Sequence, residues 1–339
     1  MKIIVDAMGG DKAPEEIVKG ALRARRELDV EILLVGKEER IREILQAENA
    51  QELSGIEIAD ARDVITMEDD PSTATRRKKD SSMAVALNLL KDGRGDAMVS
   101  AGSTGALLTG ATLTVKRIRG IRRAALAPVL PAGEHGVMLI DCGANVECTA
   151  EYLLQFAYMG SFYAKRLMGC EDPRVGLLNV GTEDTKGGIL QHQAFELLKQ
   201  AQAEGRIRFV GNVEGTGVFD GSVDVVVTDG FTGNVLLKGT EGVIKYMMKA
   251  LKGVFYQNTA NKLAALVLKK DLSAMKKSLD VNEVGGTELV GISKPVIKAH
   301  GSSNAASFFA AIRQAVAFAE AGIIEEINAH IEEMKLKTE

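Results

Sequence analysis

Chemistry in this chain concentrates in six short segments that set glycine beside Asp, Asn, Ser or Thr: Asp6–Asp11, Ser100–Gly105, Asp141–Asn145, Asn179–Glu183, Gly211–Gly215 and Asp229–Asn234. Each follows or closes a short apolar run. Glycine lets backbone N–H groups approach a ligand, and a helix N-terminus behind the loop favours an anion. Turn and cap preferences alone account for any one such loop. Six of them argue for a binding edge, because ligands of open α/β sheets sit at the carboxyl ends of strands. The candidate binding residues are Asp6, Gly9, Gly10, Asp11, Gly102, Ser103, Thr104, Gly105, Asp141 and Asn145. Asn179, Gly181, Thr182, Glu183, Asn212, Glu214, Asp229, Thr232 and Gly233 continue the set. Such loops offer backbone donors, hydroxyls and amides but few nucleophiles. They suit an oxyanion and a polar carbonyl, with chemistry by positioning and electrostatics.

Other site chemistries lack their signatures. There is no G-x-x-x-x-G-K-[ST] phosphate loop, and Gly215-Thr216-Gly217 fails the dinucleotide spacing. Gly102-Ser103-Thr104-Gly105 is too short for a nucleophile elbow. None of His135, His192, His300 and His330 has an Asp five residues on. Cys142, Cys148 and Cys170 include no CxxC, which argues against zinc and against a disulfide scaffold.

The elements that must position these loops alternate. Ile3–Asp6, Glu31–Val35, Ile56–Ala59, Asp96–Val99, Val137–Asp141, Val175–Val180, Ile207–Val210 and Val223–Thr228 read as strands. Pro14–Leu28, Glu38–Glu48, Met83–Lys91, Tyr152–Met168 and Ile189–Ala203 read as helices. Strands that are apolar throughout are buried on both faces, so the rhythm predicts a doubly wound, largely parallel sheet in an α/β/α sandwich. After Thr228 the chain reads as mostly helical. A single domain over 1–339 is expected, with a protruding helical segment at 240–285.

Composition narrows the partners. With 42 Lys+Arg against 46 Asp+Glu the net charge is -4, so a protein built to hold nucleic acid is not expected. The 339 residues are 46% hydrophobic and 26% charged, enough for a large core. The opening Met1–Asp6 run is too short for a secretion signal, and no run of 18 apolar residues occurs. A cytoplasmic protein is expected.

At these loops the sequence resembles the bacterial phosphate:acyl-carrier-protein acyltransferases, the PlsX family. DAMGGD at Asp6–Asp11, SAGSTGA at Ser100–Ala106, DCGAN at Asp141–Asn145 and NVGTE at Asn179–Glu183 carry the resemblance. GNVEG at Gly211–Gly215, TDGFTGN at Thr228–Asn234 and PVIKAHGSS at Pro295–Ser303 complete it in order along nearly the whole chain. One departure is Gly285-Gly286-Thr287-Glu288-Leu289-Val290, where the family is usually more apolar. The resemblance implies a Rossmann-like sandwich related to phosphotransacetylases and isopropylmalate-dehydrogenase-like enzymes. It implies transfer of a fatty acyl group from acyl carrier protein to inorganic phosphate, giving acyl phosphate for phospholipid synthesis. A homodimer is implied, as are an anionic membrane surface and the downstream glycerol-phosphate acyltransferase as partners. Neither metal nor organic cofactor is expected.

Under that resemblance the catalytic candidates are Lys186, Asn234 and His300. Lys186 would neutralise phosphate or the oxyanion, or else be a solvated helix-end lysine. Asn234 would donate to the carbonyl, or else cap a helix. His300 would be a donor, or else hold a turn. Gly102–Gly105 with Ser103 and Thr104 is the expected phosphate cradle. The loop aspartates are expected to organise loops or to partner Lys186. For an acidic carrier, docking candidates are Arg76-Arg77-Lys78-Lys79, the cluster Lys116, Arg117, Arg119, Arg122 and Arg123, and Lys269, Lys270, Lys276 and Lys277. Leu263, Leu266 and Val267 make an apolar helical face with basic edges, suited to a bilayer interface or to a core or dimer contact. Rival readings are an acetyl- or butyryl-transferase using acyl-CoA, an NAD-dependent β-decarboxylating dehydrogenase and a non-enzymatic membrane scaffold.

Overall fold

A computed structural model describes residues 1–50, 54–278 and 285–336. The strands are β1 Lys2–Asp6, β2 Glu31–Gly36, β3 Ile56–Asp60, β4 Ala97–Ser100, β5 Ala125–Ala127, β6 Val129–Leu130, β7 Val137–Ile140, β8 Arg174–Leu178, β9 Arg208–Val213, β10 Val225–Val227, β11 Thr287–Val290 and β12 Val296–Lys298. The helices are α1 Glu15–Glu27, α2 Glu38–Ala47, α3 Ala74–Arg77, α4 Ser82–Lys91, α5 Thr104–Gly110, α6 Ala150–Leu167, α7 Ile189–Ala203, α8 Gly230–Tyr256, α9 Thr259–Val267, α10 Lys269–Ser278, α11 Ala305–Glu320 and α12 Ile323–Ala329.

The alternation of apolar runs and helices yields the expected α/β architecture, with one correction. The sheet is not continuous. It comprises a seven-stranded part ordered β3-β2-β1-β4-β12-β11-β5 and a five-stranded part ordered β6-β7-β10-β8-β9. Pairing is parallel except around β11 and between β6 and β7. The chain crosses from one sheet to the other at Pro128, between β5 and β6. Proline lacks the N–H a ladder needs, so it marks the break. Cys142 N–H donates to the Leu126 carbonyl at 2.9 Å and ties β5 to the end of β7.

A second correction concerns the C-terminal third. It contributes β11 and β12, and β12 lies inside the first sheet between β4 and β11. Val296 and Ile297 are fully buried there. Two apolar residues are too few to announce a strand; long-range pairing with β4 makes it one.

Helices cover both faces. α1 and α11 bury Ile17, Leu22, Phe308 and Ile312 against Ile3 and Val5 of β1. α4 and α5 place Met83, Leu87 and Leu107 against Ile4 on the other face. α6 and α7 cover the second sheet with Phe156, Tyr163, Phe195 and Leu198. Residues 305–329 are long and apolar enough to cross a bilayer by composition. The chain spends that apolar surface inside its own core, where Phe308, Phe309, Ile312 and Phe318 are buried. By contrast α8 is 27 residues long and buries only Gly230 and Gly233, and α9 buries none.

Candidate active site

The two sheets point at each other. β6 runs antiparallel to β7, so β7, β10 and β8 return with their carboxyl ends towards the end of β5. The carboxyl ends of β4 and β12 approach from the opposite side. A cleft of about 320 Å³ lies between, lined by residues of both sheets. The glycine loops therefore form two facing half-sites rather than one edge.

The first half-site is layered. Asp6, Ser100 and Lys298 stand in register across β1, β4 and β12. The Asp6 carboxylate is buried and accepts from Ser100 Oγ at 2.6 Å and from Met8 N at 3.3 Å. Burial pushes its pKa up, opposed by these bonds. Ser100 Oγ in turn accepts from Gly102 N at 3.1 Å. Asp11 N donates to Gly301 O at 2.8 Å, joining the first loop to the His300 turn. Gly9 has to be glycine: a Cβ there would stand 2.7 Å from both Asp6 Oδ2 and Gly102 N. Asp6, Gly9, Gly10 and Asp11 thus build the layer behind Gly102, Ser103 and Gly105, while Thr104 and His300 reach the cleft wall.

His300 is prepared as a donor. Ser302 N and Ser302 Oγ meet its Nδ1 at 3.2 Å and 2.8 Å. A ring nitrogen accepting a backbone N–H is unprotonated, which assigns the remaining proton to Nε2. Burial, then Lys298 and Lys238, lower its pKa, so the neutral donor persists near pH 7.

The second half-site is organised by Asp141. Its Oδ1 accepts from Leu126 N at 2.9 Å and Ala144 N at 3.2 Å. Its Oδ2 accepts from Asn145 N at 2.6 Å and Asn145 Nδ2 at 3.0 Å. One carboxylate thereby fixes its own loop and the β5 end of the other sheet. Burial raises its pKa against those bonds. Asp229 caps α8 by accepting from Thr232 N at 2.9 Å and Thr232 Oγ1 at 2.8 Å. A Cβ on Gly233 would run into the Asp141 carbonyl, so α8 starts directly against the Asp141–Asn145 loop. Asn234, next along, lies beside Gly143 on the cleft wall.

The other candidates gather one strand further on, at the ends of β8 and β9. Asn212 Nδ2 donates to Glu183 O at 2.9 Å, and Asn179 Nδ2 to Lys186 O at 3.0 Å. Lys186 is exposed and 3.8 Å from Glu183. Gly181, Thr182 and Glu214 belong to this cluster, which flanks the start of α8 without lining the cleft.

The cleft contains two lysines that strand reading had passed over. Lys238, on α8, pairs with Glu241 at 3.0 Å. Lys298 ends β12, and its Nζ donates to Ala101 O at 3.4 Å and to Ala299 O. Burial lowers its pKa to about 8. The only sequence signal for it was a lysine closing a Val-Ile pair before a glycine turn. Leu126, Pro128, Val129 and Leu237 add apolar surface to the cleft lining.

Comparison with known proteins agrees with this geometry. A model of the family described as "fatty acid synthesis protein" matches residues 1–326. A phosphate acyltransferase of Oceanobacillus iheyensis is 47% identical over 333 residues, 98% of each chain. That of Clostridium acetobutylicum is 46% identical over 335 residues, 98% of this chain and 100% of its own. Among solved structures, a phosphotransacetylase from Streptococcus pyogenes superposes with TM-score 0.62 at 18% identity, covering 96% of this chain and 94% of its own. One from Staphylococcus aureus gives 0.59 at 18% identity, with the same coverage. These last two share the fold. With facing half-sites built from its own glycine loops and near-half identity across its whole length, the chain belongs to the fatty acid synthesis protein family of phosphate acyltransferases and is an acyltransferase.

Proposed function

We propose that the protein transfers a long-chain acyl group from acyl carrier protein to inorganic phosphate, releasing acyl phosphate for phospholipid synthesis. The observation that carries this reading is the mixed lining of the cleft, where Thr104, His300, Lys298 and Asn234 are joined by Leu126, Pro128, Val129 and Leu237. The polar groups suit an anion and a carbonyl, the apolar ones the first carbons of a fatty chain. A phosphate oxygen attacks the thioester carbon and the C–S bond breaks. The proton of hydrogen phosphate leaves with the thiol, so charge is conserved. Phosphate is already an anionic nucleophile, so the protein's task is to align two reactants and stabilise the oxyanion. In this reading Asn234 serves the carbonyl oxygen from the second half-site, with Lys186 reaching in from the cluster beside it, and the Gly102–Gly105 loop cradles phosphate from the first. An NAD-dependent dehydrogenase needs free carboxylates for a metal, whereas Asp6 and Asp141 are committed to loop bonds.

The donor is tested by offering palmitoyl carrier protein, palmitoyl-CoA and NAD with its hydroxyacid in parallel. A preference for the carrier thioester is expected; equal use of the CoA ester would favour the acyl-CoA rival. Of the basic runs, Arg76, Arg77 and Lys79 are exposed on and just after α3, whose preceding Pro71 would meet a Cβ on Gly105 at 2.8 Å, beside the cleft. Lys78 is held by Asp69 at 2.8 Å, and Arg122 by Glu151 at 3.0 Å. The side chains of Lys276 and Lys277 lie outside the described residues. Reversing Arg76 and Arg77 to Glu should raise the carrier KM roughly tenfold while leaving the phosphate KM in place. An unchanged carrier KM removes this face from the docking surface.

The proposed peripheral membrane contact rests on α9. Leu263, Leu266 and Val267 are 60%, 68% and 81% exposed, which excludes a core role within the single chain. Lys262, Lys269 and Lys270 border them and would meet anionic lipid. Leu263→Glu with Val267→Glu should release the folded protein from anionic liposomes in sedimentation. Loss of a dimer on gel filtration would reassign the face to a second copy.

A further inference from the structure

We propose that Lys298 is the group that holds the phosphate nucleophile, with His300 Nε2 and Thr104 Oγ1 completing the anion's hydrogen bonds. The inference rests on the reading above, in which phosphate is the co-substrate, and assigns the charge that reading leaves open.

Four observations carry it. Lys298 closes an interior strand of the first sheet, so backbone pairing on both sides fixes where its side chain starts. It shares the cleft wall with Thr104, His300 and Asn234. Its ammonium is met by the carbonyls of Ala101 and Ala299, and among the described residues no carboxylate is paired with it. The other cleft lysine, Lys238, is already neutralised by Glu241. A half-buried cation with no directly paired carboxylate favours a ligand that brings a negative charge to it. Asp6 and Asp11 lie behind it and favour its charged form, while Asp6 itself is occupied by Ser100. His300 presents an N–H rather than a second positive charge, which suits hydrogen bonding to an anion already balanced by one lysine.

The titration follows from the same geometry. Burial leaves the free amine with a pKa of about 8. Phosphate bound beside it favours the ammonium, so affinity for phosphate should weaken as pH climbs past 8. The groups facing Lys298 are Asp6, Asp11, Lys238 and His300. The Lys298 amine is the group that loses its charge in that window.

The same cation chemistry fits two phosphates: the free ion, and the phosphodiester of a carrier's pantetheine arm. Steady-state rates with Lys298→Met separate them. The methionine keeps the length of the stem and removes the charge. The expected result is a phosphate KM raised roughly 10- to 100-fold, the range for losing a charge-assisted hydrogen bond, with the donor KM unchanged. The rise of the wild-type phosphate KM above pH 8 should vanish in the variant. Lys298→Arg should restore part of the phosphate affinity and move the pH break beyond the measured range. A shift in donor KM alone would overturn the assignment in favour of the pantetheine phosphate. An unchanged phosphate KM and pH break would overturn it outright. If Lys298→Met melts below the assay temperature, the arginine variant's pH break decides alone. Equilibrium dialysis with radiolabelled inorganic phosphate keeps the two ideas apart. Wild type that binds no phosphate refutes the co-substrate reading, whereas wild type and Lys298→Met binding it equally refute only the role of Lys298.

Discussion

The two half-sites use the same device and differ in where they keep their charge. Each has a buried aspartate that accepts from the loops around it: Asp6 from Met8 N and Ser100 Oγ, Asp141 from the Ala144 and Asn145 N–H groups. Each packs so tightly that a glycine is required, Gly9 in one and Gly233 in the other. The lysines are opposites. Lys298 emerges from a strand, half-buried and with no carboxylate paired to it among the described residues, whereas Lys186 sits in an exposed loop near Glu183. A fixed, desolvated charge interacts strongly with a ligand from the moment of binding. A screened loop charge is worth little until a substrate orders it. The contrast separates the two by kinetic role: the strand lysine for ground-state phosphate, the loop lysine for charge that develops during reaction.

Lys186→Ala is the sharpest way to break this comparison. If the loop lysine meets the oxyanion, turnover should fall by roughly 100-fold with little change in phosphate KM, as for other removed oxyanion contacts. Asn234→Ala removes a neutral donor and should cost roughly tenfold in turnover. Both substitutions fall on exposed side chains, so thermal melts should stay near wild type. A Lys186→Ala variant that loses phosphate affinity and keeps its turnover would give the loop the role assigned to the strand. A variant with wild-type kinetics would leave Lys186 as a solvated loop residue.

The same contrast explains what could be read in advance. β1 and β4 are apolar through most of their length and each is followed by a glycine loop, so strand and loop announce each other. Thr104, Asn234 and His300 were legible because they belong to such loops. β12 was not: Val296 and Ile297 become an interior strand only through pairing with β4, more than 190 residues earlier. Lys298 inherits its place from that pairing, and no local pattern distinguishes it from a surface lysine. The break at Pro128 was hidden for a related reason. β5 and β6 have three and two residues, too short for period or propensity to register.

Glu288 tests how firmly the first half-site's wall is held. It lies on β11, directly after Gly285, Gly286 and Thr287 of the cleft wall, and is fully buried. Tyr163 OH donates to its Oε1 at 2.8 Å, and Gln314 Nε2 donates to the same oxygen. Among the described residues its Oε2 and Gln314 Oε1 have no partners, unlike the bonded oxygens of Asp141. A proton on Oε2 would supply a donor where two acceptors are orphaned. Desolvation accordingly lifts the Glu288 pKa to about 7 from the ordinary 4.5. Tyr163, the other titratable group facing it, is pushed well up by burial and stays neutral. Because the folded pKa is raised, the native state binds the extra proton. The stabilising contribution is complete below about pH 4.5 and is lost as pH rises through 7. Glu288→Gln places a permanent N–H donor where the acid carries its proton. Its melting temperature should fall less than that of wild type between pH 5 and 8, leaving the variant a few degrees more stable at pH 8. The phosphate KM should keep its break near pH 8. Parallel melting curves for the two proteins across that range would show Glu288 to be charged or rearranged, and the wall of the first half-site to be indifferent to it.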